Sequence, residues 1–172
     1  MDLLKAIKER RSVRKFERRP VSPEVLRRLV ETACWAPTGG NRQTWRFVIV
    51  TDERRLAKLR MVSPGLIGEP PAAIVVCEDL GGSLELLEES DASVSTTMDA
   101  PMAAYAMTLA AYAEQLGSCI VASFNKTAVR RLLHLPEEVA PVLIVTVGYP
   151  AKTPNPPRRR TEGVCFWETY DG

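Results

Sequence analysis

Residues 10–19 read RRSVRKFERR, seven charged groups in ten, six of them positive, set around Ser12, Val13 and Phe16. A hydroxyl at Ser12, flanked by the guanidinium forks of Arg10, Arg11 and Arg14, suits a phosphate monoester dianion, because bidentate arginine contacts supply both charge and geometry. The same stretch also reads as a solvated, charged turn after a first helix. Nucleic acid, a membrane surface, an acidic protein partner and a phosphorylated cofactor are all open readings at this point.

Three further stretches could carry chemistry. In APTGGNRQTW (36–45), Pro37, Gly39 and Gly40 let a backbone approach a flat ligand closely, while Asn41 and Gln43 offer amide donors and acceptors. Its plain alternative is a helix-to-strand connector. PPRRR (156–160) delivers three arginines on a stiff, extended segment, either as a basic linker or as the second half of an anion clamp. In GSCIVASFN (117–125), small residues end a strand just before a helix cap. Backbone N–H groups at such a corner can point at a ligand atom, and tight packing of Ala122 and Ser123 explains it equally well.

Other reactive side chains read more plainly. The one histidine, His134, falls at a helix end as a C-terminal cation or packing residue rather than a base. Glu88, Glu89 and Asp91 read as a solvated helix face, and Tyr105, Met107 and Tyr112 as core or dimer contacts on a long helix. The four cysteines, Cys34, Cys77, Cys119 and Cys165, form no C-x-x-C pair, and three lie in apolar surroundings; they read as reduced structural thiols. No metal is expected.

The elements that must position these residues follow from the pattern. A first amphipathic helix covers 2–9. Ser22-Pro23-Glu24 starts a second, which ends before Pro37. Residues 46–52 form a buried strand, Asp52 caps a helix over 53–60, and 61–71, with three prolines and two glycines, is a loop. A second strand spans 72–79. A helix over about 97–116, apolar almost all round and stopped by Gly117, belongs at the centre or at a subunit interface. A strand over 119–124, a helix over 126–133 capped by Asn125, and a strand over 141–150 complete the set. Strict β-α-β alternation fails, so the fold is expected to be α+β with a mixed sheet.

At 172 residues, one domain with a real core is expected. The net charge of only +2 keeps the basic stretch local, balanced by acid such as LELLEESD at 84–91, and argues against a dedicated nucleic-acid binder. The charged first residues do not read as a signal peptide, and no run is long enough to span a bilayer, so a cytoplasmic protein is expected. The dinucleotide fingerprint and the P-loop are absent.

The order R-R-S-x-R-x-F, then A-P-T-G-G-N-x-Q-x-W-R-F, then L-G-S-C-I-V-A-S-F-N and P-x-L-I-V-T-V-G-Y-P, resembles the FMN-dependent nitroreductase family over nearly the whole chain. The resemblance implies a single domain over 1–172 with a mixed, mostly antiparallel sheet flanked by helices. It also implies an obligate homodimer with FMN at the interface, and a tail over 161–172 packing on the partner subunit. Carried over by motif, Arg10 and Ser12 would hold the FMN phosphate, with Arg11 beside them. Arg14 would reach the ribityl chain and the N1/O2 edge, as an electrostatic stabiliser rather than a catalytic acid or base. Pro37, Thr38, Gly39 and Asn41 would come from the partner, Ala122 and Ser123 would lie near N5/O4, and Arg158 or Arg160 would close the clamp.

The implied activity is ping-pong hydride transfer from NAD(P)H through flavin N5 to a nitroaromatic, quinone or similar acceptor, with the cofactor carrying the chemistry. Three departures stand out: Thr44 replaces the usual proline of Gln-Pro-Trp, residues 61–71 hold no asparagine for the flavin pyrimidine edge, and the 61–97 region is short. Two other readings make distinct predictions. A flavin store or sensor would be yellow without oxidising nicotinamide. A polyanion-binding module would be colourless, with binding that weakens steeply in salt.

Overall fold

The computed structural model describes residues 2–79, 81 and 92–170, the side chains of 92–97 apart. Helix α1 covers Leu3–Glu9 and α2 covers Pro23–Ala33. Strand β1 (Trp45–Val50) leads to α3 (Glu53–Met61) and β2 (Ala72–Asp79). Helix α4 (Ala92–Ala113), β3 (Gly117–Val121), α5 (Lys126–Leu133) and β4 (Val139–Gly148) follow. The acidic run at 84–91, with Glu88, Glu89 and Asp91, lies outside the described residues.

Capping residues set these boundaries. Asp2, Ser22, Asp52 and Asn125 each accept a backbone N–H of their helix's first turn through a side-chain oxygen. His134 closes α5 in the left-handed conformation, so its role at that position is a helix C-cap.

The four strands lie in the order β1-β2-β4-β3, and every ladder is antiparallel. Central β2 is buried along almost its whole length, which explains its unbroken apolar run. Ile74 and Val76 face α2 and α4 together with Leu26, Leu29, Met107 and Val145. Ala73, Val75 and Cys77 face the opposite way, against Leu59, Val129 and Ile144 beneath α3 and α5. The α+β expectation is therefore met, with helices on both faces of the sheet. The sheet is antiparallel rather than mixed as expected: among the described residues, parallel pairing enters only as one isolated bridge, Ser12 with Ser118.

Two further expectations need correction. Helix α4 starts at Ala92, passes through Pro101 and ends at Ala113, earlier at both ends than the apolar run suggests. Gly117 does not stop it. Gln115 turns the chain at φ +58° and the Leu116 N–H reaches back to the Ala111 carbonyl at 2.8 Å. This is a left-handed helix end built without glycine. Cys34 and Cys165 are exposed, so two of the four thiols are buried rather than three, and all are free. Among the described residues, no helix is long and apolar enough to cross a membrane.

Candidate functional site

Beyond α1 the chain is extended and pinned across one end of the sheet. The Val13 N–H donates to the Ser118 carbonyl at 2.9 Å, where β3 begins. Further on, the Ala151 N–H donates to the Lys15 carbonyl at 3.0 Å and the Glu17 N–H to the Tyr149 carbonyl at 2.9 Å, just past the end of β4. Successive side chains of an extended segment point in opposite directions. Val13 is buried, whereas Ser12 is half-buried and Arg14 exposed.

Gly117 and Gly148 face each other across β3 and β4 and form the floor under this segment. A Cβ on Gly117 would lie 2.7 Å from Val13 Cβ; one on Gly148 would lie 2.9 Å from Phe16 Cδ1 and 2.5 Å from Pro71 Cδ. Only the missing side chains allow the arginine-bearing segment to lie this close to the sheet.

The three arginines then divide. Arg11 serves α1: its Nη1 donates to the carbonyls of Lys8 (2.6 Å) and Arg10 (2.9 Å), satisfying the helix end. The Arg10 guanidinium lies over the Tyr105 ring, 5.8 Å from its centre. Its Nε is buried and has no hydrogen-bond partner among the described residues. Among the described residues, no ion pair engages Arg10, Arg11, Arg14, Arg158 or Arg160. A buried donor without an acceptor is costly, so this nitrogen is free to take an acceptor from outside the described chain.

The loop after α2 is built around left-handed residues. Gly40, Asn41 and Gln43 have φ of +59°, +56° and +53°. Asparagine tolerates this conformation and glutamine less so, and side-chain bonds hold both. Gln43 Nε2 donates to Asn41 Oδ1 at 3.1 Å, and the Gln43 N–H donates to Thr38 Oγ1 at 3.3 Å. Pro37 and Asn41 are exposed, Thr38 and Gly39 half-buried. The anchor is Asp99 of α4, 2 % exposed, whose Oδ1 accepts the Gly39 N–H at 3.2 Å. Asp99 escaped the motif reading, yet it is the one charged residue between Ala92 and Ala113, and that isolation was a legible signal.

Ala122 and Ser123 are exposed on the corner between β3 and α5. Arg158 and Arg160 lie exposed in the extended segment after β4, and Arg160 Nε donates to the Glu162 carbonyl at 3.5 Å. No hydrogen bond among the described residues joins the arginine run to residues 10–14. The beginning of that segment does come near: Pro150 and Thr153 line a cavity of about 390 Å³ with Arg10, Arg11 and Tyr112. A second cavity, about 570 Å³, lies behind the other half of the basic stretch, along Arg18, Arg19 and Arg60. Neither contains Ser12, Arg14, Ala122, Ser123 or the 37–41 loop.

Helix α4 keeps the two halves of the candidate site apart. Arg10 meets α4 at Tyr105 and Gly39 meets it at Asp99, six positions earlier. Six residues amount to roughly 9 Å of rise and about 120° of rotation, so the two halves sit on different faces of the helix.

A model of the nitroreductase family matches residues 7–66 and 60–149. The chain belongs to the nitroreductase family. It is 32% identical over 161 residues to a putative NADH dehydrogenase/NAD(P)H nitroreductase of Methanothermobacter thermautotrophicus, covering 90% of this chain and 81% of that one. It is 28% identical to the FMN reductase [NAD(P)H] of Bacillus subtilis, covering 98% of this chain and 74% of the relative. The crystal structure of a putative NADH dehydrogenase/NAD(P)H nitroreductase from Parabacteroides distasonis superposes with a TM-score of 0.85 at 30% identity, covering 96% and 97% of the two chains. The two matched stretches of the family model together take in the segment at 10–17, the loop at 36–45 and the corner at 122–123.

Proposed function

We propose that this chain is an FMN-dependent NAD(P)H oxidoreductase that acts as a homodimer on a small electron-poor acceptor. The buried Nε of Arg10 carries the reading, because it and the other cations of its segment meet no carboxylate among the described residues. Arg10 and Ser12 would hold the FMN phosphate, with Arg158 or Arg160 closing the clamp. Arg11, engaged with the end of α1, contributes field rather than a free fork. Bound FMN would supply the chemistry, taking two electrons and a proton from NAD(P)H and passing them to a nitroaromatic, quinone or similar acceptor.

The protein's own residues bind and bias. A guanidinium at the ring's N1/O2 edge, supplied by Arg14, favours negative charge there without titrating away. Pro37, Thr38, Gly39 and Asn41 fit a flat ligand presented by the partner subunit, since they face away from the Arg10 side of α4. Ala122 and Ser123 offer backbone groups at the opposite edge. An open apolar stripe on α4, Met98 (56 % exposed), Met102 and Tyr105, together with Leu3 and Leu4 of α1 and Phe166 and Trp167 of the tail, supports a second copy as the cover.

The visible spectrum of the purified protein, with the released chromophore identified, tests this reading. FMN near one per chain, with NAD(P)H oxidation across a panel of acceptors, is the expected result. A protein colourless after reconstitution overturns the flavin assignment. A yellow protein that oxidises no nicotinamide overturns the enzyme and leaves a flavin store.

A further inference from the structure

The loop between α3 and β2 touches two remote pieces of the proposed site, and both contacts are made at glycine. At one end, the Gly65 N–H donates to the Ser123 carbonyl at 3.0 Å, and the Asn125 N–H donates to the Val62 carbonyl at 2.8 Å. A Cβ on Gly65 would sit 3.0 Å from Val121 Cγ1 and 3.1 Å from the Ser123 carbonyl oxygen. At the other end, Gly68 adopts φ +89°, and a Cβ there would lie 2.1 Å from the Arg14 carbonyl oxygen. Between them Leu66 is 4 % exposed and packs into the core with Leu59, Val121 and Val129. Ser63 is fully buried, and its carbonyl accepts the Leu66 N–H at 2.8 Å.

We infer that residues 62–68 form a rigid gauge that fixes the separation between Arg14 and the Ala122–Ser123 corner, with Gly65 and Gly68 as positioning residues for the cofactor. The inference rests on the flavin reading, in which those two groups serve opposite edges of one ring. The gauge cannot slide, because Leu66 would have to leave the core. Nor can residue 14 yield freely, because the Val13 N–H is held by Ser118 and the Lys15 carbonyl by Ala151. A methyl group on Gly68 meets main chain rather than a flexible side-chain tip, so the Arg14 backbone must move. A displacement of about 1 Å at a reacting centre is worth about 10²-fold in rate, so a gauge of this kind bears directly on turnover. Residues 61–71, read from sequence as a loop without an asparagine, thus act through backbone rather than through a side-chain amide.

The test uses the FMN-loaded protein and four variants: G68A, G65A, R14A and the G68A/R14A double. G68A is expected to make the bound flavin's midpoint potential more negative and to raise the FMN Kd about tenfold. In the R14A background the same change is expected to move the potential little, because interacting positions are not additive. G65A asks for only a few tenths of an ångström. It is expected to fold, to shift the bound flavin's absorption bands and to lower kcat with KM for the nicotinamide nearly unchanged. A G68A protein with unaltered potential and Kd, or one whose full effect persists without Arg14, overturns the inference. If G68A does not fold, a G65A protein with wild-type spectrum and kcat overturns it instead. A wild-type protein that binds no FMN refutes the flavin reading itself, before any variant is compared.

Discussion

Gly117 and Val13 are packed so closely that a methyl group on the glycine would lie 2.7–2.8 Å from Val13 Cβ, Cγ1 and Cγ2. This contact seats the arginine segment on the sheet, and it links the stability of the fold to the geometry of the proposed anion site. G117A should therefore destabilise by about 1–3 kcal/mol through overpacking. It should also weaken FMN binding, since Ser12 and Arg14 flank Val13. Urea unfolding and flavin titration measured together check this; an unchanged midpoint would show that Val13 yields without cost.

Arg14→Gln removes a cation while keeping a polar, hydrogen-bonding side chain. The bound flavin's potential is expected to become more negative, with protein stability almost unaffected because Arg14 is exposed and enters no ion pair among the described residues. Spectroelectrochemical titration of wild type and variant decides it. An unmoved potential removes Arg14 from the ring edge.

Asp99 and Gly39 supply a conservative pair of variants. D99A leaves the Gly39 N–H without its acceptor, a loss of about 1.5–3 kcal/mol for a hydrogen bond to a charged group. D99N keeps an oxygen in place. Expected flavin affinity falls in the order wild type, D99N, D99A, with D99A about tenfold or more weaker than wild type. Equal losses in the two variants would mean that the charge, not the hydrogen bond, matters.

Glu78 gives stability a pH dependence. Burial pushes its carboxyl above the ordinary range; the Ala100 N–H and Lys126 oppose the shift, and Asp99 adds to it. The folded state thus holds this proton more tightly than the unfolded chain, whose carboxyl titrates near 4.5. Its contribution is complete below that value and is lost as pH rises through the raised folded pKa. Relative to E78Q, wild type should lose stability over that interval and show a constant difference above it. Urea midpoints at a series of pH values measure this, and a pH-independent difference would refute it.

Cys77 is a buried thiol pushed up to about 12 by that burial. At pH 8 it should resist iodoacetamide until the protein unfolds, because the thiolate is the reactive form. Mass mapping of native and urea-treated protein distinguishes the cases; labelling of native Cys77 as fast as exposed Cys34 would contradict it.

Much of this protein was written in local sequence. Caps at Ser22, Asp52 and Asn125, the apolar run at 72–79 and the turn residues at 61–71 specify elements because their causes lie within a few residues of their effects. The R-R-S-x-R-x-F and A-P-T-G-G-N-x-Q-x-W stretches stood out as candidate ligand segments for the same reason, since donors and flexible backbone are adjacent in the chain. Only the tertiary structure decided what Gly117, Gly148 and Gly68 are for. A glycine's necessity depends on what presses against its missing Cβ, and here that is Val13, Phe16, Pro71 and the Arg14 carbonyl, all brought in from other segments. Tertiary packing likewise split Arg10 from Arg11 and paired Asp99 with Gly39. Those outcomes turn on which face of α1 or α4 meets which loop, and no spacing within the chain encodes that meeting.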